Sequence, residues 1–208
     1  MAKPPLPLPL DIDQIKGFLD PAEGAALQRA AIEGAGLGGC LEIGAYCGKS
    51  AIYIGVACQS VGAVLFSIDH HRGSEENQPG WAYHDAELWD AAQGAMDTLP
   101  HLRRNLRAAG LEETVIPIVG RSATVAAHWG GRLGFLFIDG GHTLEAALND
   151  YRGWTPHLAQ GGLLAIHDVF PNPADGGRPP FEIYQRALAS DLFAEVEAVK
   201  SLRVLRRL

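Results

Sequence analysis

The chain has 208 residues, of which 47% are hydrophobic and 20% charged, and carries a formal net charge of −7. That length supports one sizeable core, and the acidic balance argues against nucleic acid, whose phosphates are met by a basic face. No apolar run reaches the roughly 18 residues of a membrane span, and three cysteines with neither metal-ligand spacing nor an export signal read as reduced thiols of a cytoplasmic protein.

In chain order, the opening MAKPPLPLPL is apolar, but its prolines deny it the helical core of a signal peptide and predict an extended polyproline-type arm. Residues 11–36 read as helical, with Pro21 suited to a first helical turn. Residues 1–36 are therefore expected to be an arm and helices packed on a domain spanning 37–208. Five apolar runs follow: GGCLEIG, AVLFSID, TVIPIVG, LGFLFIDGG and GGLLAIHDVF. They are continuously apolar rather than alternating, as a parallel strand covered on both faces requires. Helical stretches lie between them: KSAIYIGVACQ, LPHLRRNLRAAGL, SATVAAHW and TLEAALNDYRGWTPHL. Alternation of strand and helix predicts an α/β fold, a single doubly wound sheet with helices on both faces. The tail adds a helix, PFEIYQRALASDLF, then AEVEAVKSLRVLRRL, two strands joined by a tight turn as an antiparallel edge.

One connection is long. From His70 to Ala95 about twenty-five residues stand where a βα loop takes about two to six, and they include two Trp, one Tyr and three His. A loop so rich in aromatics, at the carboxyl edge where open α/β sheets bind ligands, reads as a lid.

The turn after the first strand has the pattern Glu42-x-Gly44-x-x-x-Gly48 followed by Lys49-Ser50. A phosphate-binding loop needs four residues between its glycines, and this turn has three. A short-chain dehydrogenase would need Tyr-x-x-x-Lys, which no tyrosine here supplies. The second strand ends in Asp69, a carboxylate able to accept both hydroxyls of a ribose, as suits any adenosine cofactor. S-adenosylmethionine carries no phosphate and needs no full cradle.

Together LEIGAYCGKSAIYIG, VLFSIDHH, IVGRSATVA, the segment from FLFIDGGH through IHDVF and the terminal strand pair resemble a class I, Rossmann-like SAM-dependent methyltransferase. The narrower resemblance is to macrocin-type O-methyltransferases and cephalosporin hydroxylase-like proteins, whose sheet is seven-stranded. The resemblance implies that Glu42, Gly44 and Gly48 shape the methionine end of the cofactor pocket, with Tyr46 and Ser50 beside that turn. It implies Asp69 on the ribose with His70 beside it, Arg121 and Ser122 flanking the adenine, and Asp139 where donor and acceptor meet. His142 matches the catalytic base of related sugar methyltransferases. Metal-dependent members bind Mg²⁺ through this Asp and an acidic pair, where this chain has His167-Asp168. Histidine is a poor Mg²⁺ ligand, so Asp139, Asp168 and His167 are a candidate site for a softer divalent metal. The implied activity is methyl transfer to a small-molecule acceptor, at a hydroxyl oxygen. A metal-dependent hydroxylase-like enzyme and a non-catalytic SAM-binding module are the alternatives. No membrane partner is expected, and a homo-oligomer stays open.

Plainer roles stand beside these. Glu42 and Asp69 could cap helices, Asp139 with His142 could be a structural turn, and His167-Asp168 a satisfied buried pair. Cys47 reads as a small apolar filler. Trp81, Tyr83 and Trp89 could pack the lid against the body, and Arg178, in the loop at 171–180, could meet an anionic acceptor.

Overall fold

The computed structural model describes residues 4–81, 83–141, 143–172 and 174–208. Strand β1 (Gly39–Ile43) alternates Cys40 and Glu42 with Leu41 and Ile43, and each set faces a different layer of helices. The same division runs along β6 (Leu133–Ile138), where Phe135 and Phe137 join one core and Leu136 and Ile138 the other. Burial on both faces is why these strands read as unbroken apolar runs.

The other elements are α1 (Pro21–Gly34), α2 (Lys49–Ser60), β2 (Leu65–Asp69), β3 (Trp89–Asp90), β4 (Ala95–Met96), α3 (Leu99–Ala108), β5 (Val115–Val119), α4 (Ser122–Ala126), α5 (Leu144–Trp154), β7 (Leu158–Ile166), α6 (Pro179–Ala189), β8 (Phe193–Val199) and β9 (Leu202–Arg207). Seven strands form one sheet in the order β5-β2-β1-β6-β7-β9-β8. The pairs from β5 to β7 are parallel, and β9 joins β7 and β8 antiparallel. Helices α1, α2 and α3 pack on one face through Ala26, Ile52 and Leu102. Helices α4, α5 and α6 pack on the other through Ala126, Trp154 and Ile183. The α/β fold with its antiparallel C-terminal pair is the one the sequence predicts.

One expectation needs correction. Residues 11–36 are not continuously helical: a short 3₁₀ turn at Ile12–Gln14 and an irregular strap precede α1. Proline disfavours a helical residue before it, and Asp20 is extended, with φ −73° and ψ 145°. Asp20 becomes the N-cap of α1, its side chain accepting from Ala22 N–H while the Glu23 side chain accepts from Asp20 N–H. Within the insert after β2, β3 and β4 form a small antiparallel pair. The proline-rich arm lies on the body. Leu6 N–H donates to Gln28 Oε1 at 2.8 Å, and Leu8 and Leu10 pack on the core. No helix among the described residues is long and apolar enough to cross a membrane.

Candidate active site

The sheet register builds the site. Ile43 pairs with Ile68 and with Ile138, and Ile138 pairs with Ile166. The next residue on each strand, Gly44, Asp69, Asp139 and His167, therefore falls in one row along the carboxyl rim. Backbone bonds hold that row, with Gly44 N–H donating to Ile68 O, Asp139 N–H to Ile43 O and His167 N–H to Ile138 O.

The glycine turn is constrained by what surrounds it. Gly44 has φ +96°, and a Cβ there would stand 1.9 Å from the Asp139 carbonyl oxygen, so no side chain fits. Gly48 has φ +94° and caps α2. Tyr46 also has a positive φ, 46°, and its N–H donates to Asp69 Oδ2 at 2.9 Å. Asp69 Oδ1 accepts the His71 N–H at 2.8 Å. Each carboxylate oxygen of Asp69 thus takes one backbone N–H and keeps acceptor capacity for a ligand hydroxyl.

Glu42 lies behind this turn rather than in the cavity wall. It is fully buried, accepting from Ser50 Oγ at 2.9 Å and Ser67 Oγ at 2.5 Å. Burial, assisted by the charges of Asp139 and Asp69, raises its pKa to about 7 against the opposing hydroxyl bonds. Lys49, the residue a phosphate loop would aim at its ligand, instead donates to Gly17 O at 3.4 Å. Cys47 is buried with Leu88 and Met96, and burial pushes its thiol up to about 12, as befits apolar filling.

A cavity of about 530 Å³ opens along the rim. Gly44, Tyr46, Ser50, Asp69, His70, Arg121, Ser122, Asp139, His167 and Asp168 all line it, whereas Gly48 does not. His142 lies outside the described residues. At the end near β5, Ser122 Oγ accepts from Trp154 Nε1 at 2.7 Å. Asp150 stands behind the turn there, where burial raises its pKa to about 6 against the Ser122 hydrogen bond.

The opposite wall comes from the strap and the insert. Gly17, Phe18 and Tyr83 line it, and the Phe18 ring meets Tyr83 edge-on at 5.4 Å and Tyr46 at 6.1 Å. Lys16 ties strap to insert by pairing with Asp85, and with Glu87 at 2.7 Å. Of the insert's aromatics, Tyr83 reaches the cavity, Trp89 packs on the body beside Leu88 and Met96, and Trp81 is exposed. Arg178 is turned away. It donates to Pro171 O and pairs with Glu182, and its guanidinium lies 4.2 Å above the Phe181 ring centre.

Asp139, His167 and Asp168 converge, with a ring nitrogen and two carboxylate oxygens within 4.8 Å of one another. His167 Nδ1 is 3.0 Å from Asp139 Oδ1 and 3.5 Å from Asp168 Oδ1, while Nε2 is 3.1 Å from Glu23 Oε2. Burial alone would lower the His167 pKa, but the neighbouring carboxylates of Asp139, Asp168 and Glu23 outweigh it and raise it.

Sequence reading missed Glu23, Asp150 and the strap. Asp150 had a signal, since it falls between Ala147 and Trp154 on the buried stripe of α5. Glu23 showed only as the third residue of a capping box, a local pattern silent about a partner 144 residues away.

This fold recurs in known structures. The O-methyltransferase NovP superposes with a TM-score of 0.68 at 16% identity, over 89% of this chain and 79% of its own. The SAH-bound methyltransferase PaMTH1 of Podospora anserina gives 0.63 at 13% identity, covering 92% and 81%. The O-methyltransferase TomG of Streptomyces achromogenes, in complex with SAM, gives 0.63 at 13% identity, covering 91% and 81%. The family model of the methyltransferase domain matches residues 41–169, from within β1 to just past the His167-Asp168 rim. The chain belongs to the methyltransferase-domain family.

Proposed function

We propose that the protein transfers a methyl group from S-adenosylmethionine to a hydroxyl oxygen of a small molecule. The observation that carries this reading is the row of Gly44, Asp69 and Asp139 along one wall of a single cavity. Solved relatives of the same fold bound to SAM or SAH support the choice of cofactor. The cavity suits the group. The backbone at Gly44 is bare, Asp69 keeps acceptor capacity for both ribose hydroxyls, and no phosphate cradle is built at Lys49.

S-adenosylmethionine, when bound, supplies a methyl group on a sulfonium, already a strong electrophile. The chain's tasks are therefore alignment and proton removal. Asp69 fixes the ribose, the Arg121–Ser122 turn borders the adenine, and the buried carboxylate of Glu42 lies behind the methionine end. Asp139 faces the acceptor hydroxyl. Holding the two reactants in line supplies the larger share of the acceleration. His142 takes the acceptor proton, a contribution of about 10²–10⁴-fold for a base tuned near neutrality.

The residues do not suit a magnesium ion. The hard ion prefers oxygen ligands, and the imidazole between Asp139 and Asp168 already has both nitrogens engaged by carboxylates. The transfer proposed here runs without a metal.

The test is methyl transfer from radiolabelled S-adenosylmethionine to a panel of phenols, polyols and amino sugars, with and without EDTA. We expect a methyl ether product at a rate EDTA leaves unchanged, and a His142→Ala rate lower by at least about 10²-fold. Absence of transfer to every acceptor would overturn the function. Loss with EDTA restored by Mg²⁺ or Mn²⁺ would overturn the metal-free route.

A further inference from the structure

We propose that Glu23 is a positioning residue for this methyl transfer, holding His167 so that its ring in turn fixes Asp139. The proposal rests on the methyltransferase reading above and adds to it a residue outside the matched segment 41–169.

Glu23 stands on α1 with its side chain 3% exposed. Its Oε1 accepts from Ser201 N at 2.9 Å, Ser201 Oγ at 2.8 Å and Leu202 N at 3.1 Å. Its Oε2 accepts from Asp20 N at 3.1 Å and meets His167 Nε2 at 3.1 Å. A capping box accounts for the Asp20 contact alone. The remaining contacts bring together α1, the β8–β9 turn and the end of β7, which are far apart in sequence.

His167 is as buried as Glu23, and carboxylates stand within hydrogen-bond distance of both its ring nitrogens. An imidazole flanked by carboxylates on both sides, Nε2 at 3.1 Å from Glu23 and Nδ1 at 3.0 Å from Asp139 with Asp168 farther off at 3.5 Å, donates to Glu23 and Asp139 and keeps one orientation. The carboxylates on the Nδ1 side, Asp139 and the more distant Asp168, line the cavity, whereas Glu23 on the Nε2 side does not. Glu23 is thus the fixed end of a chain whose free end is the carboxylate facing the acceptor. A histidine at an active site oriented by a buried carboxylate on its far nitrogen is a recurring way to fix a functional group. Here the histidine passes that constraint to Asp139. Helix α1 becomes part of the site, although no atom of Glu23 touches substrate.

The test uses the full chain. In Glu23→Gln the carbonyl oxygen can still serve Ser201 and Leu202, but the amide then presents hydrogens to two donors, Asp20 N–H and the His167 ring. We expect turnover of the panel's best acceptor to fall at least about tenfold and up to about 10²-fold, the cost of misplacing a positioned group from a distance, with the SAH dissociation constant within threefold of wild type. Ser201→Ala removes only a bond on the other oxygen and should leave turnover within twofold. Nitrogen-15 spectra of the histidine rings provide a readout that needs no acceptor. In the wild type both nitrogens of His167 should carry protons, and in Glu23→Gln the ring signals should change. A wild-type His167 with a bare Nδ1, or equal turnover in Glu23→Gln and wild type, would overturn the proposal. A wild type that binds no SAH would defeat the methyltransferase reading, while the ring spectra would still decide the Glu23–His167–Asp139 chain.

Discussion

Glu42 sits two residues before Gly44 with its carboxylate taken by Ser50 and Ser67, and burial raises its pKa to about 7. This has a consequence for stability. A carboxyl group whose folded-state pKa is raised keeps its proton in the folded chain while the unfolded chain releases it. Between about pH 4.5 and pH 7 rising pH therefore removes stability, and the loss is complete above the folded value. At 1.36 kcal/mol per unit the upper bound is about 3 kcal/mol, or several degrees of melting temperature for a domain this size. Glu42→Gln lacks the titration. Without cofactor its melting temperature should gain on the wild type as pH goes from 5 to 8, and a difference constant with pH would contradict the burial argument. Glu23 and Asp150 belong to this scale as well. Both are acids placed on helices by patterns that looked local or apolar, and only the packing of α1 and α5 against the rim gives them partners.

At the scale of elements, the central strands β1 and β6 were legible because both of their faces are buried and run almost wholly apolar; edge strand β5 carries the same apolar run although Ile116 and Val119 are exposed. The strap before α1 was not legible. Ile12, Ile15 and Leu19 have helical spacing, yet Pro21 drives Asp20 out of the helical region and the segment turns over the cavity instead. The strand-end acids were readable from position alone, whereas the walls depend on how two irregular segments meet. Lys16 is their junction, bridging to Asp85, 69 residues along the sequence, and to Glu87 beside it. Such partly exposed pairs contribute about 0–1 kcal/mol, enough to tie the insert to the strap and too little to hold a fold. Lys16→Ala should speed chymotrypsin cleavage in the insert, at Trp81 and Tyr83, several-fold, while the melting temperature falls by no more than about 4 °C. Unchanged cleavage would mean that strap and insert are closed by other contacts.

For the whole molecule, the doubly wound sheet brings side chains from four strands to one edge, and the net charge of −7 matches a site built from carboxylates. A binding pocket with Asp69, Asp139, Asp150 and Asp168 in its wall suits a cofactor that brings its own positive charge. Nothing in one sequence encodes the acceptor, because Phe18, Tyr83 and Phe170 reach the cavity from irregular segments with no periodic signal. The cofactor grip is the part on which everything else depends. Titration calorimetry of the wild type and Asp69→Ala with S-adenosylhomocysteine tests it most directly. The account predicts saturable one-to-one binding by the wild type and affinity at least about tenfold weaker in the variant, since each charge-assisted bond to the ribose contributes about 1.5–3 kcal/mol. Equal affinities in the two proteins, or no binding by the wild type, would contradict it.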